Sequence, residues 1–210
     1  MPIFSKDNKN ILFIHVPKAG GSTIESIFKR SEFEMTYFDG GKHSKLNPLR
    51  KCSPQHMYAE QLNALFEVNK FDYIFMLVRN PIERFKSEFG MRHQQADKNN
   101  RLNFDYVNSW TKKTLENYNS NPYCYDNHIR PQSQFYLPGT RVFKLEDGMD
   151  SIIEQISKDI SMQLNYDGFK IMDRKKKSGF SSKDVPISDF TLNHLEHFYA
   201  EDFFNFNYKK

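Results

Sequence analysis

The sequence predicts an α/β fold of the P-loop type, with three layers in which helices flank a mainly parallel central sheet. Two observations support this prediction. Short apolar runs of strand length alternate with longer segments of helical periodicity, and turn-forming residues follow these runs closely. Strands that alternate with helices form parallel sheets, because each helix returns the chain to the level at which the next strand begins.

The whole chain is predicted to form one domain, residues 1–210. Its 210 residues are enough to bury a sizeable core. Only 38% of the residues are apolar, but 20 Phe and 11 Tyr residues supply large buried areas. No internal repeat and no low-complexity linker divides the sequence, and residues 1–10 are polar, with no element predicted there.

The first predicted elements are a strand, a glycine-containing loop and a helix. Residues 11–16 form a nearly continuous apolar run, which is typical of a strand buried on both faces. Pro17 ends the run, and Gly20 and Gly21 supply a tight turn. A helix with an apolar face follows over residues 23–29.

The remaining elements continue the alternation. Further strands are predicted at residues 73–78 and 140–145, and the predicted helices cover residues 55–68, a segment that begins near Pro81, residues 149–160 and residues 188–204. Ligands of such sheets bind at the carboxyl ends of the strands, so the loops after Val16 and Val78 are the candidate sites.

The loop after residue 16 has the components of an anion-binding cradle. Glycines let the backbone approach a phosphate closely, N–H groups at the start of a helix point toward it, and a lysine adds positive charge. The loop differs from a Walker A loop, in which the lysine follows the glycines. Its candidate ligand-binding residues are Pro17, Lys18, Ala19, Gly20, Gly21, Ser22 and Thr23. A plain strand-to-helix turn with an exposed lysine is the alternative.

The loop after residue 78 indicates the same chemistry. Arg79 follows the second strand directly, and Ser87 lies eight residues further on, about two helical turns away. A guanidinium offers forked hydrogen bonds and a positive charge, so Arg79 with Ser87 is a suitable phosphate clamp. Two loops of this kind favour an anionic ligand over a plain turn.

Together the two loops resemble those of the sulfotransferases that use 3′-phosphoadenosine 5′-phosphosulfate (PAPS), in particular the carbohydrate sulfotransferase group with small bacterial members. Residues 15–23 resemble the 5′-phosphosulfate loop of that family, and residues 79–87 resemble its 3′-phosphate motif. Three further segments resemble the family in the same order: residues 126–132, 142–147 and 198–203.

The resemblance implies that the protein transfers a sulfuryl group from PAPS to a hydroxyl group, with a carbohydrate as acceptor and 3′-phosphoadenosine 5′-phosphate (PAP) as product. Lys18 would balance the charge that builds on the bridging oxygen, while Arg79 and Ser87 would hold the 3′-phosphate. No metal would be required, because loop amides and Lys18 can stabilise this charge. Lys175, in the basic run at residues 174–177, is the candidate on the adenine side of the cofactor.

An acceptor hydroxyl needs a general base, and histidine is the usual one near neutral pH. His56 is the first candidate, because it opens a predicted helix between the two cofactor loops and relatives often have a His in a similar context. His128 is the second candidate, and Arg130 and Gln132 beside it are the predicted acceptor-binding residues. His15, inside the first strand, is predicted to be a hydrogen-bonded structural residue.

Two other functions remain open: a P-loop-like nucleotide kinase that uses ATP and magnesium, and a nucleotide-binding protein without catalysis. Nucleic-acid binding is disfavoured, because the aromatic residues lie in apolar stripes and not within a basic patch. Cys52 and Cys124 are predicted to be separate thiols. The chain shows no signal sequence and no apolar run of membrane-spanning length, so a cytoplasmic location is expected; it gives no indication of oligomeric state.

Overall fold

The computed structural model describes residues 2–39, 44–93, 102–168 and 180–209. In this part of the chain five strands form one sheet and helices flank it, so the predicted α/β class is confirmed. The chain divides into two compact units: the first comprises residues 1–78 and 134–171, and the second comprises residues 79–133 and 172–210. The single domain of residues 1–210 stays a prediction.

The described strands all belong to the first unit. They are β1 (Ile3–Lys6), β2 (Lys9–Ile14), β3 (Glu34–Thr36), β4 (Tyr73–Val78) and β5 (Arg141–Lys144). The described α-helices are α1 (Gly21–Arg30), α2 (Ala59–Leu65), α3 (Pro81–Arg92), α4 (Phe104–Ser120), α5 (Met149–Ile160), α6 (Asp189–Phe198) and α7 (Ala200–Asn205). Helices α1, α2 and α5 belong to the first unit, and the other four belong to the second.

The sheet is mixed, so the prediction of a mainly parallel sheet is wrong. The strand order is β3-β1-β2-β4-β5; β1 pairs antiparallel with β2 and β3, whereas the β2–β4 and β4–β5 pairs are parallel. The antiparallel half arises from a hairpin between β1 and β2, in which Asp7 and Asn8 form the turn with positive φ angles of 49° and 62°. The apolar stretch of β1 is too short to show an alternation in the sequence.

The parallel half of the sheet carries the loop that the sequence marks as a phosphate site. Residues Ile14 and Met76 are partners between β2 and β4, and Val78 and Lys144 are partners between β4 and β5. The carboxyl ends of β2, β4 and β5 therefore lie at one edge of the sheet, and the loop from β2 to α1 leaves from that edge.

Most of the predicted helices are present, with changed lengths. Helix α3 begins at Pro81 and α5 spans Met149–Ile160, as predicted. The helix predicted over 55–68 is only α2, preceded by the 3₁₀ turn Pro54–His56, because Met57 and Tyr58 have extended backbone conformations. The predicted C-terminal helix is divided at Tyr199 into α6 and α7.

Helix α4, with 17 residues the longest described helix, was not predicted. Its buried positions are Val107, Thr111 and Thr114, so two of the three carry a residue type that is also common on surfaces. The apolar periodicity on which such a prediction depends is therefore weak in this segment.

Aromatic side chains form the core of each unit. In the first unit, Phe28 of α1 stacks on Phe4 of β1 at a centroid distance of 4.0 Å, and Phe13 stacks on Phe75 at 4.9 Å. The second unit contains two apolar clusters, and Trp110 of α4 packs against both of them. No helix in the described part of the chain is long and apolar enough to cross a membrane.

Candidate functional site

Two residues of the loop between β2 and α1 have left-handed backbone conformations. Lys18 and Gly20 have positive φ angles of 70° and 93°. The N–H of Ala19 donates to the carbonyl of Val16 at 3.3 Å, and the N–H of Thr23 donates to the carbonyl of Gly20 at 3.0 Å. A left-handed conformation costs a lysine roughly 1 kcal/mol, so the loop is held in this form by its surroundings.

Both glycines of the loop are required by what surrounds them. A Cβ atom at Gly21 would lie 2.1 Å from Nε2 of His15, so no side chain fits there unless the imidazole moves. At Gly20 the left-handed backbone already favours glycine, and a Cβ atom would lie 3.0 Å from Cδ1 of Leu145. Neither position can therefore carry a side chain at the place where the sequence predicts a phosphate.

The first turn of α1 has the properties of an anion site. The helix has no side-chain cap and no acidic residue in its first turn. The N–H groups of Gly21 and Ser22 belong to this first turn, where the helix itself supplies no carbonyl to accept from them. Lys18, Ser22 and Thr23 are half-buried, so solvent still reaches their side chains. Such N–H groups, together with the positive end of a helix and a lysine, are suited to a phosphate or sulfate group.

A buried hydrogen-bonded pair of side chains lies beside this loop. Nδ1 of His15 is 2.7 Å from Oε1 of Glu25, and the two side chains are only 9% and 11% exposed. His15 is thus the hydrogen-bonded residue that the sequence predicts, and its ring fills the space against Gly21. Glu25 was not predicted. The sequence indicates it only weakly: Glu25 is a charged residue that directly follows Ile24, a core position of the helix.

His56 lies next to the same pair. Its Nδ1 is 3.2 Å from Oγ of Ser53, and its half-buried ring meets the ring of His15 edge-on at a centroid distance of 5.0 Å. Because His15 also packs against Gly21, the first unit brings the first candidate base close to the glycine loop. The catalytic role of His56 stays a prediction.

In the second unit, an N-cap determines that α3 begins directly after Arg79, the residue that follows β4. The side-chain oxygen of Asn80 accepts hydrogen bonds from the N–H groups of Ile82 and Glu83, at 3.0 and 3.2 Å. Pro81 occupies the first helical turn, where its missing N–H costs nothing. This N-cap makes the helix begin immediately after Arg79.

The two residues of the predicted phosphate clamp differ in exposure. The Arg79 side chain is 20% exposed, and its Nη2 lies 3.7 Å from Oε2 of Glu83. Ser87, two turns further along α3, is 4% exposed. Their roles in holding a phosphate stay predictions.

Gln132, a predicted acceptor-binding residue, binds the backbone of Arg79. Its Oε1 accepts from the N–H of Arg79 at 2.9 Å, and its Nε2 donates to the carbonyl of Arg79 at 2.8 Å. Gln132 is fully buried. The predicted contact of Gln132 with an acceptor stays a prediction, but its amide has a defined partner within the second unit.

Arg130, the other predicted acceptor-binding residue, is 5% exposed. Its Nε donates to Oδ1 of Asn127 at 3.1 Å, and its Nη2 donates to the carbonyl of Pro122 at 3.2 Å. Its guanidinium also lies over the ring of Tyr123, 5.4 Å from the centroid. These contacts hold residues 122–130 together, and the predicted role in acceptor binding stays a prediction.

His128, the second candidate base, has a buried carboxylate partner. Its Nδ1 lies 2.7 Å from Oε2 of Glu88, whose side chain is 1% exposed, and the other oxygen of Glu88 accepts from Nε of Arg92 at 2.6 Å. Arg84 donates to the carbonyls of His128 and Arg130, both at 2.8 Å. A carboxylate at Nδ1 fixes the orientation of an imidazole and stabilises the imidazolium that forms when the ring takes a proton.

The backbone before His128 is left-handed over three consecutive residues. Tyr125, Asp126 and Asn127 have φ angles of 53°, 59° and 62°. Each such residue costs roughly 1 kcal/mol or more, and strain of this kind persists where surrounding contacts hold it. One of these contacts is the hydrogen bond from Arg92 to the carbonyl of Tyr125, at 3.3 Å. Because strained backbone concentrates at functional segments, this conformation supports a functional role for the segment.

A buried carboxylate stabilises the segment that carries Gln132. Oδ2 of Asp202 accepts from the N–H of Gln132, and Oδ1 accepts from the N–H of Ser133, both at 2.8 Å. Burial raises the pKa of Asp202, and the nearby Arg84 and these hydrogen bonds oppose that shift. The sequence signal for Asp202 was its place in the C-terminal segment that resembles the family; for Glu88 it was the spacing of four residues from both Arg84 and Arg92.

Lys175 and the basic run at residues 174–177 lie outside the described residues. A cavity of about 470 Å³ lies beside α5 in the first unit, with Asp150, Lys158 and Tyr166 among its lining residues. Among the predicted site residues that the structure describes, none lines this cavity.

Comparison with known proteins gives one result for the whole chain. A family model described as "Sulfotransferase family" matches residues 1–209. No curated protein and no solved structure gives a significant match.

Proposed function

Because the chain belongs to the sulfotransferase family, we propose that it transfers a sulfuryl group from PAPS to a hydroxyl group of a carbohydrate and releases PAP. The observation that carries this proposal is the glycine loop from β2 to α1, which leads into an uncapped helix start without acidic residues, in a chain that matches the family over residues 1–209. We also propose that β2, β4 and β5, with this loop, are the nucleotide-binding part of a P-loop-like fold.

The residues of the loop fit the 5′-phosphosulfate group. The N–H groups of Gly21 and Ser22 lie at the positive end of α1, and the left-handed Lys18 adds a positive charge beside them. A side chain at position 21 would occupy the space of the His15 ring, so this position of the loop is restricted to glycine. We assign the neighbouring Pro17, Ala19, Gly20 and Thr23 to the same binding loop.

We assign the 3′-phosphate to Arg79 and Ser87, as the family resemblance implies. Solvent reaches the Arg79 side chain, and the Asn80 cap places it directly before α3. Arg79 can form two parallel hydrogen bonds with a phosphate, which binds the group and also fixes its orientation.

PAPS supplies a sulfuryl group on a phosphate that can leave. Lys18 stabilises the negative charge that develops on this phosphate, so the chain needs no metal ion for that purpose. The base accepts the proton of the acceptor hydroxyl while the acceptor oxygen forms its bond to sulfur and the bond from sulfur to the phosphate oxygen breaks. Positioning and electrostatic stabilisation are therefore the main tasks of the protein.

Of the two candidate bases, His128 has the contacts better suited to proton transfer. Glu88 is buried and holds Nδ1 of His128, whereas Nδ1 of His56 faces the neutral hydroxyl of Ser53. A carboxylate favours the protonated imidazole more strongly than a hydroxyl does. We therefore place His128 first and keep His56 as the alternative.

The carbohydrate acceptor is proposed from the family resemblance. The segment with His128 and Arg130 is proposed to line the acceptor site, and Gln132, which is fully buried, is proposed to support this segment from within. Its strained backbone and its buried polar contacts would keep His128 in a fixed position toward a sugar hydroxyl.

Binding of PAP by isothermal titration calorimetry in the presence of a metal chelator tests the cofactor assignment. We expect PAP to bind without metal, and Arg79→Ala to weaken PAP binding roughly 10- to 100-fold, since a charge-assisted phosphate contact is lost. The same change should leave binding of adenosine 5′-monophosphate (AMP), which lacks the 3′-phosphate, within about twofold. Equal losses for both nucleotides would place Arg79 elsewhere, and a requirement for magnesium with preference for ATP would favour a kinase. Turnover of PAPS with a panel of glycans then identifies the acceptor.

A further inference from the structure

We infer that Gln132 and Asp202 are positioning residues: they set the backbone of Arg79 and thereby direct its guanidinium toward the 3′-phosphate. This inference rests on the proposed function, because it presumes that Arg79 binds that phosphate. It assigns two buried side chains, neither of which touches the nucleotide, to the selection of a 3′-phosphorylated ligand.

The first step of the argument is the pair of hydrogen bonds between Gln132 and Arg79. The side-chain amide accepts from the N–H of Arg79 at 2.9 Å and donates to its carbonyl at 2.8 Å. The C=O and NH₂ of a side-chain amide can take the places of the C=O and N–H of a neighbouring strand. One glutamine can therefore pair with both the N–H and the carbonyl of a single residue. Because Gln132 is fully buried, water does not compete for these bonds.

The second step is the carboxylate that holds Gln132 itself. Asp202 accepts from two successive backbone N–H groups, those of Gln132 and Ser133, both at 2.8 Å. Asp202 is fully buried, and a buried carboxylate is costly unless its oxygens receive strong hydrogen bonds. Two such bonds from adjacent residues fix the position and the direction of the backbone at Gln132.

The third step is the rigidity of the neighbouring segment. The hydroxyl of Tyr199 donates to the carbonyl of Ile129 at 2.9 Å, and Arg84 donates to the carbonyl of Arg130 at 2.8 Å. Buried side chains thus hold residues 129–133 at both ends. The contacts link Asp202 to Gln132 and Gln132 to Arg79 in one continuous series.

The last step connects this series to ligand selection. The Arg79 side chain is long and partly exposed, so the position of its guanidinium depends on where its backbone is held. A small displacement of a positioned charge weakens its contact with a phosphate steeply, because the two parallel hydrogen bonds need a defined geometry. Loss of the Gln132 amide should therefore reduce selectivity for the 3′-phosphate and not general nucleotide binding.

The test compares the affinities of PAP and AMP for Gln132→Met, which keeps the length of the side chain and removes both hydrogen bonds. We expect PAP binding to weaken roughly tenfold, as the loss of about 1.4 kcal/mol would produce, and AMP binding to stay within about twofold. Gln134→Met makes the same substitution at an exposed position two residues further on and should change neither affinity. Isothermal titration calorimetry measures both nucleotides for each variant.

A second variant, Gln132→Glu, provides a rescue and replaces Gln132→Met if that protein does not fold. A neutral carboxyl group can accept from the N–H of Arg79 and donate to its carbonyl, whereas a carboxylate cannot donate. For each pH we divide the PAP-to-AMP affinity ratio of the variant by that of the wild-type protein. We expect this quotient to be low near pH 8, where the carboxyl group is ionised, and to recover toward pH 6, where it takes up a proton. Protonation within this range is expected because burial raises the pKa of a carboxyl group.

The possible outcomes separate this inference from the proposed function. A selective loss of PAP binding in Gln132→Met, or its recovery at low pH in Gln132→Glu, supports the positioning role. The positioning role is tested once Arg79→Ala has been shown to lose selectivity for PAP. It is then overturned if a folded Gln132→Met protein loses PAP and AMP binding equally, or if its PAP-to-AMP affinity ratio is unchanged. A wild-type protein that binds PAP no better than AMP overturns the proposed function, and the inference with it.

Discussion

At the scale of single residues, the two candidate bases are distinguished by the partners of their Nδ1 atoms. The partner of His128 is the carboxylate of Glu88 at 2.7 Å, and the partner of His56 is the hydroxyl of Ser53 at 3.2 Å. A carboxylate both orients the ring and balances the charge that the ring gains with a proton. A hydroxyl only orients it.

We predict that His128→Ala lowers kcat by roughly 10²- to 10⁴-fold, the usual range for loss of a general acid–base group, with PAP affinity nearly unchanged. Glu88→Gln should lower kcat by about tenfold or more, because glutamine keeps the size of the side chain but carries no charge to stabilise the imidazolium. Steady-state kinetics with a sugar acceptor, together with PAP calorimetry, measures both effects.

The control for this prediction is His56→Ala in the same assays. If His128 is the base, His56→Ala retains turnover per folded molecule and loses only some stability. A folded His128→Ala protein with near-normal kcat, together with a large loss in His56→Ala, would return the assignment to His56.

At the scale of elements, the start of α3 determines where Arg79 lies along the chain. The oxygen of Asn80 accepts from two N–H groups in the first turn, and α4 begins in a similar way, with Asn103 accepting from the N–H of Tyr106 at 2.9 Å. Helices α3 and α4 of the second unit therefore carry comparable caps. Only the cap of α3 is adjacent to a predicted ligand-binding residue.

We predict that Asn80→Ala and Asn103→Ala each lower the free energy of unfolding by about 1 kcal/mol, the usual effect of losing an N-cap. Asn80→Ala should in addition weaken PAP binding severalfold, because the helix start next to Arg79 is less well defined. Asn80→Asp should preserve stability, because an aspartate caps equally well. Urea denaturation and PAP calorimetry measure the two quantities. A loss of PAP affinity of equal size in Asn103→Ala would indicate a general effect on folding.

At the scale of the whole molecule, buried polar contacts join segments that are far apart in the sequence. The second unit is assembled from residues 79–133 and 172–210. Asp202 of the later segment accepts hydrogen bonds from Gln132 and Ser133 of the earlier one, and Tyr199 donates to Ile129. The stability of the unit therefore depends on a carboxylate that is removed from water.

We predict that this carboxylate makes stability depend on pH in a defined direction. Burial raises the pKa of Asp202 above its ordinary value of 3.8, so the folded protein binds more protons than the unfolded chain just above pH 3.8. The free energy of unfolding contributed by Asp202 is highest below that value and falls as pH rises through the raised pKa. Asp202→Asn should remove this dependence of the free energy of unfolding on pH. It should also lower that free energy by a constant amount, because the hydrogen bonds of Asp202 are changed.

The measurement is the difference in free energy of unfolding between the wild type and Asp202→Asn, followed by urea denaturation from about pH 4 upward. We expect the difference to shrink as pH rises. Glu201→Gln makes the same chemical change at an exposed position of α7 and is the control for loss of a surface charge. A difference that stays constant with pH would show that burial does not shift the titration of Asp202.

The elements with strong periodicity could be predicted from the sequence, and those with weak periodicity could not. Helix α5 has the predicted bounds because Ile152, Ile153 and Ile156 form a clear apolar stripe. Helix α4 was missed because its buried face is largely threonine, and β1 because its pairing depends on a turn at Asp7 and Asn8. A turn with positive φ angles leaves only a weak mark in a sequence when neither residue is glycine.

The candidate site shows the same division. The glycine loop and Arg79 stand next to strands, so local rules were enough to single them out. Glu25, Glu88 and Asp202 could not be identified as partners in this way, because each acquires its role from a residue distant in the sequence: His15, His128 and Gln132 respectively. Glu25 is the nearest to its partner, only ten positions along the chain, but their contact depends on how α1 packs on β2.

The sequence by itself determined the α/β class, the strand–loop–helix units and the membership in the sulfotransferase family, because these depend on local periodicity and on short motifs. Tertiary structure alone decided which carboxylate faces which histidine, why Gly21 must lack a side chain, and that the amide of Gln132 holds Arg79. The physical reason is that a buried polar group must find its partner in space, and folding places that partner at no fixed distance along the chain.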